Sequence, residues 1–324
     1  MTPLRFGRFH WLKWAMLVGA SLLVGPMAVR CSAQERAAEA ARLVFQPAQS
    51  NSFTFDTGVL RGTLRAGGRA TGLSAVEHRP TGTRLDRGIG LMGHYRVFTA
   101  NRRYGTAAWD WPGQAGLLGD GSVETHWPAN SERPFELRVS YRWVASNALD
   151  VVTSVEARGK LSGFESFLAC YFAESFSNAA VRVAARPAGQ GGAGFLEADR
   201  SYGTWLVFPR DAAAMALVRD GRWALPPHPV EWVEMPRLAA PLGYRRSPTT
   251  GLVAVLMAPR GDAFALCTPE QTEGHYSMYL SLFGRDLAPG QIAVARARLL
   301  ILEWATEAEV VSAYERYVIE TGRP

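Results

Sequence analysis

Between Phe135 and Trp143 apolar and polar residues alternate without a break: Phe135, Leu137, Val139, Tyr141 and Trp143 are separated by Glu136, Arg138, Ser140 and Arg142. A period of two is that of a strand with one buried face. The turn-forming Ser146-Asn147 and a break at 160–163 set off two more β-rich runs, 149–157 and 164–172. Three such runs on short connections predict an antiparallel meander. Shorter runs bounded by Gly, Pro, Asn or Asp predict strands at 58–64, 73–78, 93–98 and 122–127 upstream. Downstream they predict strands at 181–185, 204–208, 214–218, 231–233, 251–258, 263–267, 276–283 and 291–302. So many strands, with 32 glycines and 19 prolines, predict an all-β fold: a large antiparallel β-sandwich of two sheets.

The last segment has another period. Thr306 followed by Glu309 is a capping box, and Val310, Val311, Tyr314, Tyr317 and Val318 then recur at helical spacing before Gly322. This pattern predicts a helix over 306–321 packed on the sandwich. No internal repeat is visible, which argues against a propeller, and no shift in composition separates two halves. The folded part is therefore read as a single domain, 53–324, after a linker over 34–52 whose first residues suit a short helix.

Composition changes the picture at the N-terminus. Arg5, Arg8 and Lys13 precede the apolar run 14–29, then Cys31-Ser32-Ala33 stand before Gln34. That order is the order of a secretory signal, 1–33, and a secreted or periplasmic protein with no membrane span after cleavage is expected. Those 33 residues carry four of the 35 basic residues and no acid, leaving 31 against 29, a net charge of +2 instead of +6. The basicity is largely a targeting feature, and nucleic acid is not an expected partner. Cys170 and Cys267 remain, read as two buried thiols with a disulfide as the alternative. There is no thiolate metal spacing. The formal GxGxxG at 189–194 follows Pro187 and precedes no helical pattern, so no nucleotide cradle is expected and no cofactor is implied.

Several motifs carry a family resemblance. Leu149-Asp-Val-Val-Thr-Ser-Val-Glu, Gly163-Phe164-Glu165 and Tyr171-Phe172 resemble the strand pair of galactose mutarotase-like proteins. Cys267-Thr-Pro-Glu270-Gln271, Leu287-Ala-Pro289-Gly290-Gln291 and the run 293–302 are similar to that family's late glutamate strand and closing strand. The resemblance implies a β-supersandwich and a carbohydrate ligand, with Glu270 at the place of the catalytic base. The place of the family's acid histidine, just before Tyr171-Phe172, holds Ala169 and Cys170.

Sugars present apolar faces ringed by hydroxyls, so their sites combine aromatic platforms with paired hydrogen-bonding groups. Asn101, Arg102, Arg103 and Tyr104, then Trp109, Asp110 and Trp111, have that composition within one loop-like stretch; the alternative is two tryptophans plugging a sheet edge. A second candidate loop runs from Glu270 to His275 and Tyr276. The expected machinery is Glu270 as base, His94 or His275 as acid, and Arg102 or Arg103 orienting substrate or stabilising charge. Tyr171 is a further candidate, since tyrosine serves as acid or base in polysaccharide lyases. His78 and His126 are weaker ones. The reading is a carbohydrate-binding or carbohydrate-modifying protein: an epimerase, lyase or hydrolase if it is an enzyme. The rival is a structural or adhesive envelope protein. The oligomeric state and the identity of the sugar are not legible.

Overall fold

The computed structural model of the chain describes residues 43–49, 51–187 and 191–322; the secretory signal and the helix expected after it lie outside these residues. In chain order the strands are β1 (Gln46–Pro47), β2 (Ser52–Asp56), β3 (Leu60–Arg65), β4 (Gly72–His78), β5 (Thr83–Arg84), β6 (Asp86–Thr99), β7 (Arg102–Arg103), β8 (Gln114–Leu117), β9 (Val123–Trp127), β10 (Phe135–Ala145), β11 (Ala148–Ala157), β12 (Leu161–Phe172), β13 (Asn178–Val183), β14 (Gly194–Glu197), β15 (Trp205–Pro209), β16 (Val233–Glu234), β17 (Leu238–Arg246), β18 (Leu252–Met257), β19 (Ala263–Pro269), β20 (Ser277–Leu287) and β21 (Ile292–Glu303). Among the described residues two helices, α1 (Ala212–Val218) and α2 (Glu307–Thr321), and three short 3-10 turns accompany the strands.

The strands form two sheets. One has 12 strands along the path β1-β2-β3-β4-β6-β12-β20-β19-β15-β16, with β5 on β4 and β7 on β6; the other has nine in the order β14-β13-β17-β18-β21-β11-β10-β9-β8. The all-β sandwich with a short C-terminal helix is thus the fold observed. Alternation along β10 does what its pattern dictates: Phe135, Leu137, Val139, Tyr141 and Trp143 are buried between the sheets. Helix α2 opens with the capping box of Thr306 and Glu309, and its Val310 and Tyr317 close over the outer face of the nine-stranded sheet against Leu242, Tyr244 and Val255.

Four expectations change. β10 and β11 pair as a hairpin, but β12 leaves them and inserts between β6 and β20 of the other sheet. The meander therefore ends after two strands. The reason is visible in β12 itself, buried at ten consecutive residues from Gly163 to Phe172: a strand apolar on both sides needs cover on both. The run 214–218 is helical, because the Asp211 carboxylate caps it by accepting from the Ala214 N–H at 2.8 Å, and a short apolar run has no period that tells helix from strand. Strand β17 escapes sequence reading because it contains Pro241 and Gly243. Pro241 is tolerated where the pairing of β13 with β17 is irregular, between Val181 and Val183. Finally, the stretch read as linker enters the fold, with Phe45 buried against Phe55 and Trp143.

Cys170 and Cys267 are free, buried thiols. Burial pushes Cys170 up to about 12, so it is inert as a nucleophile.

Candidate functional site

A cavity of about 380 Å³ opens on the face of the twelve-stranded sheet turned away from the nine-stranded one. Its floor is laid by neighbouring strands: Tyr95 and Arg96 from β6, Phe167 and Tyr171 from β12, Tyr279 from β20 and Trp205 from β15. Trp109, on the 3-10 turn Ala108–Asp110, stacks on Tyr95 at 4.6 Å and 7° and stands edge-on to Tyr171. The far wall is the excursion between α1 and β16, which supplies Trp223, His228, Val230 and Trp232. Phe167 stacks on Tyr279 at 4.5 Å, Trp223 meets Phe167 at 4.7 Å, and Trp232 stands edge-on to both Trp223 and Trp205. The rings thus support one another around the space, in the offset and edge-to-face arrangements aromatic pairs prefer.

Two adjacent residues of β6 face this cavity because β6 is bulged there. Val97 pairs with Ser166 and His94 with Leu168, so Tyr95 and Arg96 together oppose Phe167 alone. Regular alternation would send Arg96 to the side of His94; the extra residue sends it outward beside Tyr95. Arg96 is only 4% exposed, and neither its Nε nor its Nη1 has a hydrogen-bond partner. Its guanidinium lies 5.0 Å from the Tyr95 ring centre and 5.2 Å from that of Trp223. Small residues stand in the sheet below. Ala169 pairs with Gly93 and with Tyr279, and a Cβ on Gly93 would meet the Thr71 carbonyl oxygen at 2.5 Å.

The excursion carrying the tryptophans is anchored from beneath. Arg222, fully buried, donates to the Gly163 carbonyl at 2.8 Å, to Glu165 at 3.0 Å and to Asp220 at 2.7 Å. Burial pushes the Glu165 carboxyl up, against the opposing pull of Arg222. The Val230 N–H donates to the Trp223 carbonyl at 2.9 Å and closes the tip of the excursion on itself.

Of the residues the sequence singles out, Trp109, Tyr171 and His275 meet at this cavity. His275 stands at its edge, half-exposed, with Nδ1 2.7 Å from the Glu273 carboxylate and its ring 5.4 Å from Trp205 and 6.3 Å from Tyr171. Burial pushes the Tyr171 phenol well above its ordinary value, together with the neighbouring Tyr279, which burial itself raises to about 12. Both are neutral phenols that can donate a hydrogen bond.

The others are placed elsewhere. Glu270 does not line the cavity, and its carboxylate accepts from the Thr272 N–H at 2.6 Å and the Thr272 hydroxyl at 2.7 Å. His94 lies between the sheets, 2.7 Å from the Ser166 hydroxyl on one side and 3.0 Å from that of Thr153 on the other; burial lowers it to about 3. The acid role expected for it gives way to a structural one, since no path leads from a fully buried ring to a substrate in the cavity. Asn101 turns the chain between β6 and β7 with φ of 59°. Arg102, Arg103, Tyr104 and Trp111 line a second hollow of about 350 Å³ with Glu132 and Arg133. There Arg102 donates to the Glu132 carbonyl at 2.6 Å and Tyr104 shares a hydrogen bond with Thr99. Arg103 donates to the carbonyls of Gly105, Thr106 and Pro227, which ties the loop after β7 to the tryptophan-bearing excursion, and it also meets Tyr95 of the cavity floor. Trp111 is core, against Trp127 and Phe135. Asp110 lies at the surface, 3.5 Å from Arg69 on the cavity rim. His78 and His126 pair with Glu303 and Glu136 away from the cavity.

Arg96, Tyr95, Tyr279, Trp205, Trp223 and Trp232 are missed by sequence reading. The signal of Tyr95, Tyr279 and Trp205, aromatic residues at strand positions, is also the signal of a core; Trp223 and Trp232 lie outside the strands, and Arg96 is turned outward only by the bulge. Among the described residues no group of three His, Cys, Asp or Glu gathers as a metal site, and no helix is long and apolar enough to cross a membrane.

No protein-family profile and no curated protein matches the chain. Among solved structures it is similar to a galactose mutarotase related enzyme from Lactobacillus acidophilus, with 10% identity and a TM-score of 0.45 over 79% of this chain and 99% of that one. It is similar to an aldose epimerase homologue from C. elegans, at 9% identity and a TM-score of 0.41 over 76% and 96% of the two chains. An alpha-N-acetylgalactosaminidase from Bifidobacterium bifidum is similar at 11% identity and a TM-score of 0.47, over 86% of this chain and 38% of that one. At such identities the chemistry is read from the cavity alone.

Proposed function

We propose that this protein binds carbohydrate in the aromatic cavity, after export by the N-terminal signal, and that it can act on the bound sugar by acid-base chemistry. The observation that carries this reading is the composition of the walls: four tryptophans, three tyrosines and a phenylalanine enclose a space of about 380 Å³, with arginine, histidine and phenol groups between the rings. Flat apolar surfaces set between hydrogen-bonding groups suit a ring whose faces are apolar and whose edge carries hydroxyls. Chemistry would fall to the cavity edge. In this reading His275, hydrogen-bonded to Glu273, takes or returns a proton, and the neutral phenol of Tyr171, which is hydrogen-bonded to Tyr279, supplies one when a substrate displaces that contact.

Ligand-observed saturation-transfer NMR with a pooled panel of neutral and acidic saccharides, followed over hours, tests both parts. The expected result is transfer to one class of sugar, weakened about tenfold (about 1.4 kcal/mol) by Trp205→Ala with the fold intact. If the sugar also changes, His275→Asn and Tyr171→Phe abolish the change while sparing binding, whereas Glu270→Gln leaves it. No transfer to any saccharide would overturn the reading.

A further inference from the structure

Resting on the sugar-site reading, we infer that the ligand of this cavity is an acidic saccharide, a uronate, whose carboxylate is received by Arg96. Neutral sugars need a hydrogen-bonding edge; this cavity offers a buried cation in addition. Guanidinium is charged at every working pH and has donors only, and a buried donor left without an acceptor carries its full desolvation penalty, larger when charged. Arg96 is 4% exposed, lines the cavity, and has Nε and Nη1 unpartnered. Two aromatic faces, Tyr95 and Trp223, lie against it and the Arg103 guanidinium is a cationic neighbour, so among the described residues it forms no ion pair.

The fixed charges that line the cavity are both cationic. No carboxylate stands among the described residues of its walls, where Arg69 joins Arg96, and His275 already has Glu273 as its partner. Arg69 is already engaged by Asp110 at the rim, so the uncompensated charge is that of Arg96. Nε1 of Trp232, also on the wall, is a second buried donor without an acceptor. The fully buried guanidiniums elsewhere in the molecule are satisfied by the protein: Arg222 has Glu165 and Asp220, and Arg245 has the carbonyls of Phe176 and Ser277 with the Thr268 hydroxyl. Arg96 has no such protein partner, and it is presented to the cavity by a bulge that breaks the alternation of its strand. A carboxylate carried on a sugar ring would supply the acceptor while the ring occupies the aromatic walls. Charge-assisted hydrogen bonds of this kind are roughly twice as strong as neutral ones.

The test is affinity for D-glucuronate and D-galacturonate, as monosaccharides and short oligomers, against their methyl esters and against glucose and galactose, read by quenching of tryptophan fluorescence and by calorimetry. The expected result is at least tenfold tighter binding of the acid than of its ester, a preference abolished by Arg96→Gln and retained by Arg102→Gln, which lies outside the cavity. The ester comparison uses the unaltered protein, so it stands even where Arg96→Gln fails to fold. Equal affinity for acid, ester and neutral hexose would overturn this inference and leave the sugar site in place. A preference that survives in folded Arg96→Gln would overturn the role of Arg96. Binding of no saccharide, acidic or neutral, would overturn both readings.

Discussion

His94 touches both sheets through one ring: Nδ1 meets Ser166 of β12, beside it in the twelve-stranded sheet, and Nε2 meets Thr153 of β11 in the other. Burial lowers it from the ordinary 6.5 to about 3, which makes it a contributor to acid sensitivity. Between these two values the unfolded chain binds a proton at this site and the folded chain does not. Its contribution to stability is therefore complete above about pH 6.5 and is lost as pH falls, by about 1.4 kcal/mol per unit. Urea unfolding of the native protein and of His94→Gln between pH 7 and pH 5 should show the native protein losing more than the variant, and parallel losses would deny His94 that role. The same residue marks the limit of local reading. His94 and Arg96 stand two apart in an apolar run, the arrangement of two residues on one face, yet one is locked in the core and the other lines the cavity. The bulge that separates them leaves no trace in the residues themselves, because it is a property of how β6 pairs with β12.

Among the elements, the excursion between α1 and β16 matters most to the site, and one buried guanidinium fixes it. Arg222 joins it to Gly163 and Glu165 of β12 and to Asp220 within the excursion. Removing it leaves Glu165 buried without its counter-ion, and Arg222→Met is expected to cost about 3–5 kcal/mol at neutral pH. Burial already pushes Glu165 up, so in the variant acid allows it to discharge by protonation, and the loss should shrink from pH 7 to pH 5. Denaturant unfolding at both values checks this; a loss independent of pH would mean that packing, not charge, is at stake. Where an element announces itself by its own pattern, it was legible: the strict alternation of β10 is carried by its own residues, and the capping box of α2 closes within three residues. Strand β17 and helix α1 were not, since Pro241 is accommodated by an irregular partner strand and the apolar run after Asp211 is too short to show a period.

For the molecule as a whole, the two sheets share one continuous core in which Leu64, Leu73 and Phe164 of one pack with Leu137, Val155 and Leu299 of the other. Thermal unfolding followed by tryptophan fluorescence and by far-ultraviolet circular dichroism should give coincident transitions, as expected of one cooperative unit; two separated transitions would show that the sheets melt apart. A saturating sugar should raise that transition, by about 2.7 kcal/mol of stability at a hundredfold excess over Kd. The residue order by itself determined the class of fold, the buried face of each well-patterned strand, the terminal helix and the resemblance that points toward sugars, because periodicity and capping are short-range properties. Tertiary structure decided which of the sequence's candidates meet. β12 crosses to the other sheet, the excursion after α1 folds back over it, and a bulge turns Arg96 outward, so Trp109, Tyr171 and His275 share a cavity with residues from across the chain while Glu270 and His94 do not. Such convergence depends on strand pairing between segments distant in sequence, and that pairing is set by the burial of whole faces, not by any single run of residues.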